Sequence, residues 1–311
     1  MKTHQNGSEY IKINDNVFLH IRDWGEGKPI VFIPGLPFGH EMFEYQFTWL
    51  PQYGFRCIGI SMRGFGGSSQ PWGEYTYDLF ADDLHFALQT LDLSNITLAG
   101  FSMGGAIALR YMARHGGDRV ANLVLCGAAA PSFTTRPDFP FGTEPGAVES
   151  LIDLCHSDRA KFNAEFSAKL FKESTMLPPR LLDWFQSLGM AASPHATAAC
   201  LAILRDADLR DDLKSVHVPT IIFHGVYDRI CPFGLAETMT APTDAMPAVA
   251  KAMAAEADAI AGGIQGAKLI RFESSGHALF YEEREKFNTE LKNFIEKKVA
   301  GKEKYFGPAT R

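Results

Sequence analysis

The sequence is short of the features that would assign it to a class at once. Its five cysteines (Cys57, Cys126, Cys155, Cys200, Cys231) are odd in number, widely spaced and form no C-x-x-C pair. That pattern excludes a disulfide framework and reads as buried or free thiols in a reducing, cytoplasmic compartment. No stretch approaches the ~20 apolar residues of a membrane helix. The opening MKTHQNGSEYIKIND has no apolar core of the kind a secretory signal carries, so neither a signal nor a membrane partner is expected. Basic residues are not in excess, with 30 Lys+Arg against 36 Asp+Glu and a formal net charge of −6. A nucleic-acid surface usually shows a basic excess or stripe, so no nucleic-acid partner is expected. There is no H-E-x-x-H or comparable ligand cluster, and Arg63–Ser68 (RGFGGS) lacks both the P-loop lysine and a full G-x-G-x-x-G. Neither a metal nor a cofactor is expected.

What remains is a globular composition: 46% hydrophobic, 12% aromatic and 21% charged residues. The length allows either two domains of about 150 residues or one enlarged α/β domain. Tyr10–Ile13 and Val17–Arg22 alternate in polarity around Asn-Asp-Asn and predict a hairpin. Pro29–Ile33, Arg56–Ile60, Ile96–Ala99, Val120–Cys126, Thr220–Phe223 and Lys268–Phe272 read as further strands. Most are continuously apolar, which points to a parallel sheet covered on both faces. Helical patterns fall between them at Glu41–Leu50, Tyr77–Leu91 and Met103–His115, with a closing helix from about Glu282 to Val299. From about Ser132 to Lys214 no convincing strand occurs. Helical patterns at 144–157, 159–172, 178–190 and 195–206 follow a Pro/Phe-rich loop, and predict a helical cap inserted into the core. The expected domains are therefore a core from 1–131 and 215–311, and a cap from 132–214.

The chemistry begins at Gly100-Phe101-Ser102-Met103-Gly104-Gly105, a G-x-S-x-G pentapeptide between a strand and a helix. In such an elbow the serine occupies a sharp turn, and small residues are needed on either side because backbone crowds there. A serine hydroxyl needs a base, and the base needs an acid to orient it. Asp228 follows the strand TIIFH and His277 follows the strand at 268–272, so both lie just past strand ends. His224 falls inside a strand, and the other histidines lack this context. Met103 supplies the amide after the nucleophile. The loop Ile33-Pro34-Gly35-Leu36-Pro37-Phe38 supplies a second oxyanion donor at Leu36, since Pro37 has no N–H and Gly35 lets the chain turn.

These residues, with Met62–Ser68, together resemble the α/β-hydrolase superfamily, and most closely its cofactor-free esterase, perhydrolase and haloperoxidase-like branch. The likeness covers nearly the whole chain apart from the cap and 240–262. It implies an α/β-hydrolase fold with Ser102 as nucleophile, His277 as base, Asp228 as acid, and Leu36 and Met103 as oxyanion donors. A serine at the elbow disfavours the branches that use an aspartate nucleophile. Pro37 after the oxyanion residue resembles members competent in ester perhydrolysis. Two positions depart from the family pattern. Pro34 replaces a histidine, and Ser61 replaces an aspartate, which puts loop rigidity in question more than the chemistry.

The expected activity is hydrolysis of small to medium apolar esters or lactones through an acyl-enzyme. The alternatives are perhydrolysis or haloperoxidase-type chemistry, and a slow-turnover ligand-sensing receptor. Phe38, Phe101, Phe133, Phe141, Phe166, Trp184 and Leu279 are the candidate substrate-binding residues, in a chain whose cap also carries Phe139, Phe162, Phe171 and Phe185. A homo-oligomer remains open. The alanine-rich segment Thr240–Gly262 predicts an extra helix away from Ser102, serving as an interface or an embellishment, or alternatively a second lid.

Overall fold

The computed structural model describes residues 9–173, 175–240 and 263–300. The alternating stretches near the start form the expected hairpin, β1 (Tyr10–Asn14) against β2 (Val17–Trp24). Asn14 Oδ1 accepts the Asn16 N–H at 2.9 Å, a local bond that suits Asn to a tight turn. Val17, Leu19 and Ile21 face the core on one side of β2, as a period of two requires.

The apolar runs become β3 (Lys28–Ile33), β4 (Phe55–Ile60), β5 (Ile96–Phe101), β6 (Val120–Cys126), β7 (Thr220–Gly225) and β8 (Lys268–Phe272). The eight strands among the described residues join one sheet in the order β1-β2-β4-β3-β5-β6-β7-β8. The β1–β2 and β2–β4 pairings are antiparallel, and every pairing from β4 through β8 is parallel. Parallel neighbours need crossover helices that cover both faces, which is why β5 and β7 are buried along their whole length. The mostly parallel α/β architecture expected from the sequence is the one observed.

The helices are α1 (Glu44–Trp49), α2 (Tyr77–Thr90) and α3 (Met103–His115), then α4 (Pro145–Ser157), α5 (Arg159–Lys169), α6 (Pro179–Met190) and α7 (Pro194–Asp206) between β6 and β7. Past β7 come α8 (Gly234–Thr238), α9 (Leu279–Glu282) and α10 (Arg284–Ala300). The four helices after β6 start on sequence-encoded signals. Pro145, Pro179 and Pro194 occupy first turns, where the missing N–H donor would have no partner within the helix, while the Asp158 and Ser193 side chains cap α5 and α7. Between β6 and β7 the described backbone forms isolated bridges, Thr134 with Thr143 and Arg136 with Phe139, but no named strand.

Two expected helices differ. The one over 41–50 is broken into a 3-10 turn at His40–Phe43, α1, and a second 3-10 turn at Leu50–Tyr53. Pro51 has no N–H to continue the ladder, and Gly54 ends the turn at a φ of 77°. The closing helix begins at Arg284, separated from α9 by Glu283. There the Glu283 carboxylate turns back to accept the Ser274 N–H at 2.9 Å and the Ser275 hydroxyl at 2.6 Å. The helix expected in the alanine-rich segment falls on 241–262, outside the described residues. No single described helix is long and apolar enough to cross a membrane.

One buried ion pair fixes the Met62–Ser68 loop to the sheet's helical layer. Arg63 donates Nε and Nη2 to the two Asp83 oxygens, both at 2.6 Å, from the loop after β4 to the buried face of α2. Burial pushes the Asp83 carboxyl up, against the pull of the Arg63 hydrogen bonds and charge. An interior pair of this kind adds little over an apolar pair of the same size, but removing one partner strands the other. Asp83→Ala is therefore expected to cost about 3–5 kcal/mol in urea unfolding. A double replacement, Arg63→Met with Asp83→Leu, is expected to regain most of that loss.

Candidate active site

Ser102 sits between β5 and α3 with φ 53° and ψ −121°, a left-handed conformation that a non-glycine residue adopts only under constraint. The constraint is close backbone packing. A Cβ on Gly100 would fall 2.3 Å from the Gly104 carbonyl oxygen, and one on Gly104 would fall 2.3 Å from that of Ile33. Both glycines of the pentapeptide are thus demanded by space. Gly35 is as well, since a Cβ there would lie 2.7 Å from Ser102 Cβ. Its φ is not among the positive ones, so it serves approach to the serine and not the turn. The Ser102 N–H is anchored on the Cys126 carbonyl at 2.9 Å, and the Ser102 carbonyl accepts from Gly105 and Ala129.

Met103 is the first residue of α3, so its N–H has no acceptor within the helix. Leu36 occupies a four-residue turn closed by the Phe38 N–H on the Gly35 carbonyl at 2.8 Å, with a cis Leu36–Pro37 bond. Both candidate oxyanion residues are buried, as are Ser102 and His277.

Asp228 leaves β7 on a tight turn, with its N–H on the Gly225 carbonyl at 3.2 Å. Its Oδ1 accepts the Ile230 and Cys231 N–H groups, both at 2.8 Å. Its Oδ2 lies 2.6 Å from His277 Nδ1. An ionised carboxylate can only accept, so the proton is on His277 Nδ1 and the Nε2 lone pair is left as a base. Burial opposes charge on Asp228. The His277 charge and the hydrogen bonds from His224 and His277 outweigh it, and hold the carboxyl well below the usual carboxylate range. The loops carrying the two residues are joined directly, Val226 N–H to the Phe272 carbonyl and Tyr227 N–H to that of Ser275, each at 3.0 Å.

Two neighbours escape a reading by motif. His224 does lie inside β7, fully buried, yet its Nε2 donates to the Cys231 carbonyl at 2.8 Å and stands 3.3 Å from Asp228 Oδ2. The signal available in sequence was its position four residues before Asp228 at a strand end. Cys231 is also fully buried. Burial and the Asp228 charge push its thiol well up, while a Ser102 hydrogen bond pulls the other way, so it stays neutral.

The candidate substrate residues are not gathered in one place. Phe101 packs on His277 with ring centroids 4.6 Å apart and touches Phe280 at 5.0 Å. Phe38, on the Leu36 loop, meets Phe185 of α6 edge-on at 5.6 Å, and Trp184 and Phe171 pack around Phe185. Phe166 stacks on Phe162 within α5. Phe141 packs on Phe139 and against Gly234 at the start of α8. Phe133 and Leu279 are buried. Phe38 lies on the Leu36 loop and Phe101 adjoins His277.

The family model described as the alpha/beta hydrolase fold matches residues 28–284. The chain is 43% identical over 285 residues to the AB hydrolase superfamily protein YisY of Bacillus subtilis, covering 92% of this chain and 98% of that one. It is similar to the solved esterase EaEST from Exiguobacterium antarcticum, with 38% identity, a TM-score of 0.81, and 92% and 98% of the two chains covered. It is also similar to a bromoperoxidase from Bacillus anthracis, with 32% identity, a TM-score of 0.81, and 92% and 99% covered.

The lowered pKa of Asp228 has a consequence for stability. A carboxyl whose pKa is lower in the folded chain stabilises the fold above its unfolded value of about 3.9 and loses that contribution as pH falls below it. In urea unfolding, the penalty of Asp228→Asn is expected to be largest above about pH 4 and to shrink on further acidification. A penalty that grows toward low pH would contradict this ion-pair assignment.

Proposed function

The chain belongs to the α/β-hydrolase fold family, and from that premise we propose that it is a serine ester hydrolase acting through Ser102, His277 and Asp228. The observation that carries this reading is the 2.6 Å Asp228–His277 bond at the strand ends beside the strained Ser102 turn. Ser102 Oγ attacks the ester carbonyl carbon and its proton passes to His277 Nε2. The oxyanion so formed is met by the Leu36 and Met103 N–H groups, and each such donor is worth roughly 3–4 kcal/mol to the transition state. Collapse breaks the C–O bond, and the imidazolium protonates the departing alcohol. Water then attacks the acyl-Ser102 ester with His277 again as base, and collapse breaks the acyl–Oγ bond as the imidazolium returns its proton to Ser102 Oγ and the acid leaves. Asp228 keeps the imidazole in the Nδ1–H tautomer throughout.

We read residues 132–214 as a cap on the core formed by the flanking segments. The Phe38, Phe171, Trp184 and Phe185 cluster between cap and oxyanion loop suits small to medium apolar acyl or alcohol groups, esters or lactones. The five cysteines, all buried and unpaired, fit a reducing, cytoplasmic setting. A second reading is favoured by Pro37 and by the likeness to a bromoperoxidase. Hydrogen peroxide in place of water would attack the same acyl-enzyme and release a peracid.

A p-nitrophenyl ester series from acetate upward, run beside lactones and an acetate-plus-peroxide assay, separates these activities. Ser102→Ala is expected to abolish turnover of every substrate, and Asp228→Asn to lower kcat by about 10^4-fold with the fold intact. Undiminished turnover in Ser102→Ala would refute the proposal. Ligand binding with negligible parent turnover would point to a sensing role instead.

A further inference from the structure

The loop that carries Leu36 ends, four residues on, in a second polar cluster. We propose that His20, His40 and Glu41 form a binding site for a divalent transition-metal cation of the Zn2+ type, clipping this loop to β2. His20 Nδ1 lies 3.5 Å and His40 Nε2 3.9 Å from Glu41 Oε1, and one donor atom from each residue falls within 4.8 Å of the others. Donors bound at about 2.0–2.2 Å around a tetrahedral ion stand roughly 3.3–3.5 Å apart, so small side-chain shifts close the site.

The cluster is polar and half-buried, and its facing atoms are unsatisfied. His20 Nδ1, His40 Nε2 and Glu41 Oε2 are all buried atoms without a hydrogen bond. Leaving such groups unmet is costly, and more so where one is charged. His40 Nδ1 lies 2.9 Å from Ser61 Oγ, which also accepts the His40 N–H at 3.0 Å. A hydroxyl oxygen has two lone pairs and can take both donors. In the tautomer that donates Nδ1–H to Ser61 Oγ, His40 Nε2 presents a bare lone pair toward the carboxylate. Two electron-rich atoms facing one another call for a positive charge between them.

The surrounding bonds fix the donors in place, as an outer shell must. Ser61 N–H reaches the His20 carbonyl at 3.0 Å. Ser68 Oγ accepts the His20 N–H at 2.8 Å and donates to the Ser61 carbonyl at 2.7 Å. Two imidazoles and one carboxylate suit zinc, cobalt or nickel better than magnesium or calcium, which favour all-oxygen cages. The Glu41 side chain is 29% exposed, which leaves an entry path and room for a water as fourth ligand. The cluster lies outside the proposed triad, so the ion is a structural clip and takes no part in the ester chemistry.

Calorimetric titration of EDTA-treated protein with ZnCl2 tests the assignment, read together with the unfolding temperature and the absorption spectrum after CoCl2 addition. One Zn2+ per chain is expected, with a rise in unfolding temperature and the visible bands of tetrahedral cobalt. Glu41→Gln and His20→Gln are each expected to weaken Zn2+ binding by about 10–100-fold or more, while the metal-free ester hydrolysis of Glu41→Gln stays at the parent level. Unsaturable binding, or equal Zn2+ affinity in parent and Glu41→Gln, would overturn the site and leave a proton shared by His20 and Glu41 as the occupant.

Discussion

A backbone held at φ 53° and ψ −121° costs about 1–3 kcal/mol in a residue with a side chain, and Ser102 pays it because β5 and α3 cannot part. The close approach that keeps them together runs from Gly100 to Gly104 and on to the Ile33 carbonyl, so the strand that carries the serine and the loop that carries Leu36 are packed as one body. The spacing of the proposed nucleophile and its oxyanion donors is therefore set by main-chain contact and not by side-chain rotamers. That is the kind of positioning that survives sequence change at neighbouring positions.

The electrostatic half of the site follows the same economy. The Asp228 side chain is fully buried, yet both its oxygens are engaged: two amides on one, the His277 imidazole on the other with His224 Nε2 3.3 Å away. A carboxylate so supplied remains an anion in an apolar surround and can orient a neutral histidine without drawing its proton. Phe101 beneath the His277 ring excludes water from that side, which strengthens every charge interaction near it.

The strand ends that present Ser102, Asp228 and His277 could be read because each follows a short apolar run, and because the order of the three along the chain matches one fold and not others. What could not be read depends on distance in space between residues far apart in sequence. The four-residue step from His224 to Asp228 is a weak local sign of their contact, since a histidine in a buried strand looks the same whether it packs or bonds. Gly35 carried the right identity for a different reason, because the serine it must clear is 67 positions away and brought near only by the sheet. His20, His40 and Glu41 belong to a strand and a loop that share no motif, and Ser61, noted as a departure from the family pattern, makes sense only once His40 is seen bonding to it. The break before α10 depends on a carboxylate reaching back to Ser274 and Ser275, which helical periodicity cannot register.

Glu282, at the end of α9, has one oxygen on the Lys172 N–H and the Thr175 hydroxyl and the other on the Gly276 N–H, next to His277. The Ala278 N–H adds a further bond to the Leu170 carbonyl. A single carboxylate thus stitches the segment after α5 to the histidine loop. The helices between β6 and β7 are consequently not an exchangeable cassette. A graft that replaced them with another enzyme's insert, without restoring an acceptor and donors at this seam, would alter the setting of the histidine before it altered any pocket.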